Sequence, residues 1–236
     1  MTDVQLSGPG TSPGLTAHLS RPSTSGPWPG VVAIHEVWGV DDVLRRQCEH
    51  LAGLGYLAIA PDLYSDGGGV RCVKGVFSAA LQQRGRAYAD IEAARRWLLD
   101  SGETTGKVGV IGFCMGGAFA LVLAGQGSYD AAAPNYGQLP KDPEVLRGAC
   151  PVVASYGGKD PSLRGVAAKL EGKLTEYGVP HDVKEYPSAS HSFLNDETNG
   201  PAPLRPLIRV AGVGPEPVAA ADAWRRIDAF FTEHLG

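Results

Sequence analysis

The sequence has no long apolar run and no excess of basic charge. None of its apolar stretches reaches the roughly 18 residues that a membrane-spanning helix needs. Its 21 Lys and Arg residues are outnumbered by 25 Asp and Glu residues, which gives a formal net charge of −4 and a pI near 5.9. Nucleic acids and anionic membrane surfaces select basic patches. We therefore expect neither a nucleic acid nor a membrane as a partner.

Cysteine is scarce as well, with four residues at positions Cys48, Cys72, Cys114 and Cys150. No two of them have the CxxC spacing that is typical of zinc sites. We therefore expect no metal and no cofactor. Residues 1–13 are polar and show no basic segment followed by an apolar one, so they predict no secretory signal. Because thiols stay reduced in the cytosol, a cytoplasmic location is expected.

Strand-like and helix-like segments alternate along the chain, which predicts an α/β fold with a mostly parallel sheet and helices on both faces. No linker or repeat divides the sequence, so residues 1–236 are expected to form one domain. A long connection is predicted at Ser65–Arg86. Strands are predicted at Leu15–Leu19, Gly30–His35, Tyr56–Pro61, Lys107–Gly112, Pro151–Tyr156 and Asp182–Tyr186. Helices are predicted at Asp41–Leu54, Ala87–Leu99, Gly116–Ala124, Leu163–Tyr177 and Val218–Leu235.

The strongest local signal is the pentapeptide 112–116, which reads Gly-Phe-Cys-Met-Gly and is followed by a further glycine. A nucleophile between a strand and a helix needs a sharp turn, and small residues two before and two after it let the strand and helix approach closely. The helix N-terminus also favours the thiolate of Cys114. A buried cysteine in a tight turn is the alternative. A phosphate-binding loop fits less well, because the glycine spacing differs and no lysine follows.

A cysteine nucleophile requires a base, and the base requires an acid that orients it. In α/β-hydrolases the chain order is nucleophile, acid, histidine. Asp160 directly follows one predicted strand, and His191 lies in the turn after the next one. Open α/β sheets place their sites beyond the carboxyl ends of the strands. Cys114, Asp160 and His191 therefore form a candidate catalytic triad, with His35 as the next base to consider.

The connection after strand Gly30–His35 lies on the same edge of the predicted sheet. An α/β-hydrolase takes one oxyanion donor from this connection and the other from the residue after the nucleophile. We therefore predict the backbone N–H groups of Val37 and Met115 as the oxyanion hole. Glu36 precedes an aromatic residue in this connection. It is either a solvated loop charge or a carboxylate that holds the thiol proton until substrate arrives.

Together these segments resemble the dienelactone hydrolases (carboxymethylenebutenolidases), from about Val31 to the C-terminal helix. The resemblance implies an α/β-hydrolase fold without a large cap and a Cys114, Asp160 and His191 triad. It also implies that Glu36 contacts the resting thiol and accepts its proton when substrate displaces it. The segments that carry the resemblance are His35-Glu36-Val37-Trp38-Gly39, Pro61-Asp62-Leu63-Tyr64, Gly112-Phe113-Cys114-Met115-Gly116-Gly117, Gly157-Gly158-Lys159-Asp160 and Ser190-His191-Ser192-Phe193.

One position departs from the family pattern. Family members that open muconolactone-type substrates clamp the substrate carboxylate with arginines, one of them shortly after the catalytic histidine. Here Asn195 stands four residues after His191. We therefore predict a substrate without that doubly clamped carboxylate. The predicted substrate-binding residues are Trp38, Ser192, Asn195, Arg84 and Arg86, with Arg205 and Arg209 as further arginines near the histidine turn.

Three functions are compatible with this sequence. The first is hydrolysis of a small-molecule carboxylic ester or lactone by a monomer or weak homodimer. The second is a thioesterase or acyl transferase reaction on the same triad. The third is a non-catalytic protein of this fold that binds a ligand or senses redox state through its thiol.

Overall fold

A single sheet of eight strands forms the centre of the molecule. The computed structural model describes residues 2–67, 75–76, 79–80, 84–210 and 212–236. The strand order is β1-β2-β4-β3-β5-β6-β7-β8, antiparallel at the β1–β2 and β2–β4 pairings and parallel elsewhere. The strands are β1 Thr2–Gln5, β2 Thr16–Ser20, β3 Trp28–Ile34, β4 Leu57–Pro61, β5 Thr104–Phe113, β6 Ala131–Asn135, β7 Val152–Gly157 and β8 His181–Tyr186.

The central parallel strands are buried on both faces, as expected when helices cover a sheet from two sides. All four residues from Val31 to Ile34 in β3 and all five residues of β4 are buried. Such near-continuous apolar runs are why these strands were predictable from the sequence. The predicted α/β-hydrolase fold with a mostly parallel sheet is confirmed.

Helices flank both faces of this sheet. Helix α1 begins after Asp41, whose side chain accepts a hydrogen bond from the Leu44 amide at 3.0 Å, as an N-cap does. Leu44, Cys48 and Leu51, which follow one another at spacings of four and three residues on one face of this helix, are buried. Among the described residues no helix is both long and apolar enough to cross a membrane. The α-helices whose bounds lie in the described part of the chain are α1 Asp42–Gly53, α2 Arg86–Asp100, α3 Met115–Ala124, α4 Val166–Glu176, α5 Arg205–Val210 and α6 Pro217–Leu235.

Three elements were not predicted. Strand β1 pairs at the edge with β2 and is mostly exposed, so it has no apolar pattern. Strand β6 reads Ala-Ala-Ala-Pro-Asn, a composition poor in the β-branched and aromatic residues that signal strands. The third is the short helix α5. The predicted connection Ser65–Arg86 lies partly outside the described residues. Cys72 belongs to the part that is not described.

The fold brings the carboxyl ends of the parallel strands to one edge. Residues 35–39 follow β3, Cys114 follows β5, Asp160 lies beyond β7, and His191 lies beyond β8. The four segments are far apart in sequence but meet at this edge because their strands are parallel neighbours. The segment between β8 and α6 returns to the same edge, since Gly214 donates a hydrogen bond to the His191 carbonyl at 3.0 Å.

Candidate active site

Cys114 occupies the turn between β5 and α3. Its φ of 55° and ψ of −114° lie in a region that residues with a side chain rarely adopt. Such conformations cost on the order of 1–3 kcal/mol and persist where the surrounding structure enforces them. Here the Cys114 amide donates to the Asn135 carbonyl at 3.1 Å, and its own carbonyl accepts from Ala118 at 3.2 Å. The strained turn leaves the thiol half-buried at the start of the helix.

The positions two before and two after Cys114 require glycine, because backbone atoms of neighbouring segments occupy the space that a side chain would need. A Cβ placed on Gly112 would lie 2.0 Å from the carbonyl oxygen of Gly116, and one placed on Gly116 would lie 2.1 Å from that of Ile34. Real Cβ atoms essentially never come so near backbone atoms. The Gly116 contact also shows that the start of α3 packs against the end of β3, with the carbonyl groups of Ile34 and His35 beside Gly116.

His191 and Asp160 are joined by a short hydrogen bond. The His191 Nδ1 atom lies 2.5 Å from Oδ2 of Asp160, across 31 residues of sequence. The other carboxylate oxygen of Asp160 accepts from the amide and the hydroxyl of Ser162, at 2.9 and 2.6 Å. Asp160 is only 3% exposed. The carboxylate is therefore fixed in position and directs the Nε2 atom of the imidazole away from itself.

The electrostatics around His191 favour the imidazolium form. Burial by itself would lower the pKa of His191, but the hydrogen bonds to Asp160 and Cys114 and the charges of Cys114 and Glu36 raise it to about 10. Burial would conversely raise the pKa of Asp160, yet the hydrogen bonds from His191 and Ser162 hold it below its usual value. An imidazolium next to a thiol stabilises the thiolate.

Two backbone amides near the cysteine are not committed to other protein groups. Within the described part of the chain, neither the Val37 nor the Met115 amide donates a hydrogen bond. Met115 is the first residue of α3, where helix amides have no partner within the helix. The Tyr64 hydroxyl donates to the Val37 carbonyl at 3.0 Å and thereby fixes the turn that carries the Val37 amide.

His35 lies next to this turn, and both of its ring nitrogens are occupied. Its Nδ1 atom is 2.5 Å from the Glu36 carbonyl oxygen, and its Nε2 atom accepts from the Leu63 amide at 3.2 Å. Burial lowers the pKa of His35, which keeps the ring neutral. His35 joins the turn after β3 to the turn after β4. With both nitrogens used, it has a structural role rather than that of a free base.

Glu36 is buried in a pocket of neutral hydrogen-bond donors. The side-chain amide of Asn199 donates to its Oε2 atom at 3.0 Å, and that of Asn195 reaches its Oε1 atom at 3.4 Å. Burial raises the pKa of Glu36, while the hydrogen bonds from Asn199 and Ser192 and the charge of His191 act in the opposite direction. Glu36 is therefore not a solvated loop charge. Its contact with the resting thiol stays a prediction.

Tyr136 completes the inner wall of the site. Its backbone has a φ of 40°, and the side chain is 1% exposed. Its ring centroid lies 5.2 Å from that of His191, and its hydroxyl lies 3.5 Å from Oδ1 of Asn195. Burial raises the pKa of Tyr136 well above its ordinary value, and the charges of Glu36 and Cys114 add to this. The hydroxyl therefore remains a neutral donor next to these groups.

The predicted substrate-binding residues separate into two groups. Ser192 and Asn195 are buried within the Glu36 pocket, where Asn195 also accepts from Gln47 at 3.0 Å. Their direct contact with a substrate stays a prediction. Trp38 is 38% exposed, and its ring is 3.0 Å from a Cβ placed on Gly200, a position that Ile208 also approaches.

The predicted arginines whose side chains are described, Arg84, Arg86 and Arg205, are exposed. Arg86 forms an ion pair with Asp66. The Arg205 guanidinium donates to the Gly200 carbonyl at 2.9 Å. The side chain of Arg209 lies outside the described residues. No hydrogen bond in the described chain links any of these arginines to Cys114 or His191.

Sequence reasoning missed Tyr136, Asn199 and the acidic neighbour Asp41 as members of the site. Tyr136 follows β6, a strand whose alanine-rich composition concealed it. Asn199 lies in an irregular segment with no motif. Asp41 was predicted only as the first residue of a helix, although its negative charge also acts on Glu36.

Comparisons with known proteins identify the family of this chain. The profile of the dienelactone hydrolase family matches residues 15–235. A carboxymethylenebutenolidase of Pseudomonas putida is 32% identical over 196 residues, which cover 74% of this chain and 78% of the relative. A dienelactone hydrolase-like promiscuous phosphotriesterase, P91 from metagenomic libraries, is 25% identical with a TM-score of 0.82, covering 100% of this chain and 99% of that one.

A thermophilic esterase of Thermogutta terrifontis shares the fold at 17% identity and a TM-score of 0.63, over 93% of this chain and 89% of that one. The family profile covers nearly the whole sheet, from the start of β2 to the end of α6. The turn that carries Cys114, the turn that carries His191 and strands β2 to β8 lie inside this region. The chain belongs to the dienelactone hydrolase family and is a hydrolase with the α/β-hydrolase fold.

Proposed function

We propose that this hydrolase cleaves carboxylic ester or lactone bonds with Cys114 as nucleophile, His191 as proton carrier and Asp160 as orienting acid. The observation that carries the proposal is the 2.5 Å hydrogen bond between His191 and Asp160 beside a cysteine in a strained strand-to-helix turn. A merely structural cysteine has no need of that conformation, nor of a histidine held at its thiol by a buried carboxylate.

The first half-reaction forms an acyl-enzyme. The Cys114 thiolate attacks the ester carbonyl carbon, and the carbonyl oxygen becomes an oxyanion that accepts hydrogen bonds from the amides of Val37 and Met115. Each such donor contributes on the order of 3 kcal/mol to the transition state. The intermediate collapses with cleavage of the carbon–oxygen ester bond. The His191 imidazolium gives its Nε2 proton to the departing alkoxide, which in a lactone remains attached to the acyl group.

The second half-reaction releases the acid. Neutral His191 takes a proton from water, and the hydroxide attacks the thioester carbonyl at the same oxyanion hole. Collapse breaks the carbon–sulfur bond, and the carboxylic acid leaves while Cys114 is again a thiolate next to an imidazolium. Asp160 keeps its hydrogen bond to Nδ1 throughout and holds the imidazole in the useful tautomer.

Glu36 is the proposed acceptor of the thiol proton when substrate binds, as the family resemblance implies, and it returns this proton to the Cys114 thiolate once the carboxylic acid has left. Three features support this. The carboxylate is buried, it acts electrostatically on His191, and it contacts Tyr136, which itself lies near Cys114. A desolvated carboxylate is a stronger base than one in water, so proton transfer from a thiol becomes easier.

Rapid-mixing kinetics with a chromogenic aryl ester test this proposal. We expect a burst of one equivalent of phenol per site and an acyl-thioester on Cys114 detectable by mass spectrometry in acid-quenched samples. The substrate panel includes neutral lactones, carboxylated lactones and a phosphotriester, since one similar protein is a phosphotriesterase. Turnover of every ester by a Cys114→Ala variant at the wild-type rate would refute the assignment.

The same experiment separates the alternative functions. An acyl transferase passes the acyl group to an added thiol or alcohol faster than to water, which is seen as acceptor-dependent product at constant phenol release. A ligand-binding or redox-sensing protein shows no turnover of any activated ester. The proposed cytoplasmic location, the monomer or weak homodimer and the absence of nucleic-acid and membrane partners stay predictions.

A further inference from the structure

Asn199 and Asp41 face Glu36 from two different elements. The side-chain amide of Asn199, in the segment after β8, donates to the Oε2 atom of Glu36 at 3.0 Å. Asp41 closes the turn that begins at Glu36, since its amide donates to the Gly39 carbonyl at 3.0 Å and the Gly39 amide donates to the Glu36 carbonyl at 3.3 Å. Asp41 also caps α1 through the Leu44 amide. A neutral donor and a negative charge therefore act on the same carboxylate.

The segment that carries Asn199 is fixed at both sides. Arg46 on α1 forms ion pairs with Asp196 and Glu197, the two residues that follow Asn195. Further along, the Gly214 amide bonds to the carbonyl of His191 at 3.0 Å. The position of Asn199 is thus set by contacts that are independent of its hydrogen bond to Glu36.

The charged and titratable groups that face Glu36 come from four sides of the site. His191, beyond β8, favours its ionised form, and Asp41, at the start of α1, disfavours it. Tyr136 after β6 interacts with both Glu36 and Cys114, the residue after β5. The groups that donate hydrogen bonds to the Glu36 carboxylate are neutral, namely the amides of Asn195 and Asn199 and the hydroxyls of Ser192 and Tyr136.

We propose that Asn199 and Asp41 are positioning residues that act on Glu36 in opposite directions. The Asn199 carboxamide donates to the carboxylate and stabilises its ionised form. The Asp41 carboxylate repels it and stabilises the protonated form. Their balance sets the lowest pH at which Glu36 accepts the thiol proton, and hence the acidic limb of the activity profile. This inference rests on the proposed function of the site.

The direction in which each substitution shifts the titration of Glu36 follows from the hydrogen bond or the charge that the substitution removes. Asn199→Ala removes a hydrogen bond to an anion, so Glu36 should titrate at higher pH, by about one pH unit. Asp41→Asn removes a negative charge while keeping an N-cap of similar strength, so Glu36 should titrate at lower pH, by roughly half a unit. Asn199→Ser keeps one donor and should give a smaller upward shift. Asn199→Ser also tests the inference if the Asn199→Ala variant folds poorly.

Two readouts test the inference on the full-length protein. The first is an NMR titration of glutamate side chains labelled with ¹³C, in which the Glu36 carboxyl signal is assigned by its loss in Glu36→Gln. The second is kcat/KM against pH with a neutral aryl ester. The matched control is Glu171→Gln, an exposed position on α4 that takes no part in fixing the Asn199 segment. The control should leave the Glu36 titration and the acidic limb unchanged.

Opposite shifts for Asn199→Ala and Asp41→Asn in both readouts support the inference. An unshifted Glu36 signal, or shifts of the same sign, would overturn it. Shifted signals with an unmoved acidic limb would also overturn it, because the network would then hold Glu36 without setting the activity threshold. Failure of the proposed function is recognised separately, as turnover that survives Cys114→Ala, and the NMR titration reports on the network in that case too.

Discussion

The carbonyl oxygen of Ile34 lies where a methyl group on Gly116 would have to go, 2.1 Å from an ideal Cβ. Gly116→Ala must therefore move the start of α3 away from the end of β3. We expect a loss of about 3 kcal/mol or more in the free energy of unfolding. Chemical denaturation measures this, and any folded fraction should have lost most of its activity because Cys114 shifts with the helix.

Gly172→Ala is the control for this substitution. Gly172 lies in α4, is exposed, and has no atom within 4 Å of an added Cβ. Alanine at such a helix position should stabilise the protein by about 0.5–1 kcal/mol. Equal stability losses for the two variants would show that the close approach at Gly116 is not what requires glycine there.

Cys114 should be the thiol that reacts first with an alkylating agent. Burial raises the pKa of Cys48 to about 12 and that of Cys150 to about 12, so both remain protonated and shielded. Cys114 lies at a helix N-terminus next to the imidazolium of His191. Limited iodoacetamide treatment with peptide mapping should show loss of activity in proportion to the Cys114 label.

A Cys72→Ser background removes the contribution of the cysteine that lies outside the described residues. In that background one label per chain should inactivate the enzyme. Full activity after stoichiometric modification of Cys114 would rule out its role as nucleophile.

His191→Ala should remove nearly all turnover, because both proton transfers of the proposed cycle pass through this ring. Asp160→Asn should cost several orders of magnitude in kcat, because a carboxamide at this position favours the wrong imidazole tautomer. Steady-state kinetics with an activated ester measure both effects, and circular dichroism checks folding. Near wild-type rates in either folded variant would show that another base operates.

The raised pKa of His191 predicts the alkaline limb of the activity profile. Hydrogen bonds to Asp160 and Cys114 outweigh burial and raise this pKa to about 10. The proton that the leaving alkoxide needs is therefore available up to about pH 10, and kcat/KM should fall above it. Asp160→Asn removes one of these stabilising partners, so its residual activity should fall at lower pH. An alkaline limb that is the same in both proteins would contradict this account.

The raised pKa of His191 also makes the stability of the folded protein depend on pH. His191 binds its proton more tightly in the folded chain than at its unfolded pKa near 6.5. Its contribution to stability is therefore fully present below pH 6.5 and is lost as the pH rises through about 10. Urea midpoints should fall across this window in the wild type and fall less in His191→Ala. Equal pH dependence in the two proteins would contradict the prediction.

An asparagine at position 195, where the family pattern has an arginine, predicts a preference for uncharged substrates. It is buried, and its amide group is used by Gln47 and Glu36, so it does not take the place of an arginine that clamps a carboxylate. Lacking one charge-assisted contact should cost a carboxylated lactone about 10- to 150-fold in affinity. The measurement compares kcat/KM for a carboxylated lactone and its neutral analogue.

Arg84→Ala and Arg86→Ala are informative in that comparison. Arg86 is exposed and pairs with Asp66, so its loss should change the ratio of the two substrates by no more than about twofold. A strong carboxylate preference in the wild type would defeat the prediction. If that preference also survived both arginine substitutions, Arg205 or Arg209 would be the source of the charge.

The predictable part of the site is the part that short-range geometry dictates. Cys114 is recognisable because its turn requires glycines at fixed spacing, and Asp160 and His191 because they follow strands with clear apolar patterns. Tyr136 was missed because the strand before it is rich in alanine, and its position depends on pairing with β5 and β7. Asn199 was missed because only tertiary packing brings an irregular segment to Glu36.

The order in which the strands supply the site has a consequence for synthesis of the chain. A nascent chain that has emerged as far as β6 carries the Cys114 thiol and Glu36, but it has neither His191 nor Asp160 to activate them. The Glu36 pocket closes only when Asn195 and Asn199 arrive, after the last strand. In the proposed mechanism Cys114 therefore gains its activating groups late, once the sheet that contains it is nearly complete.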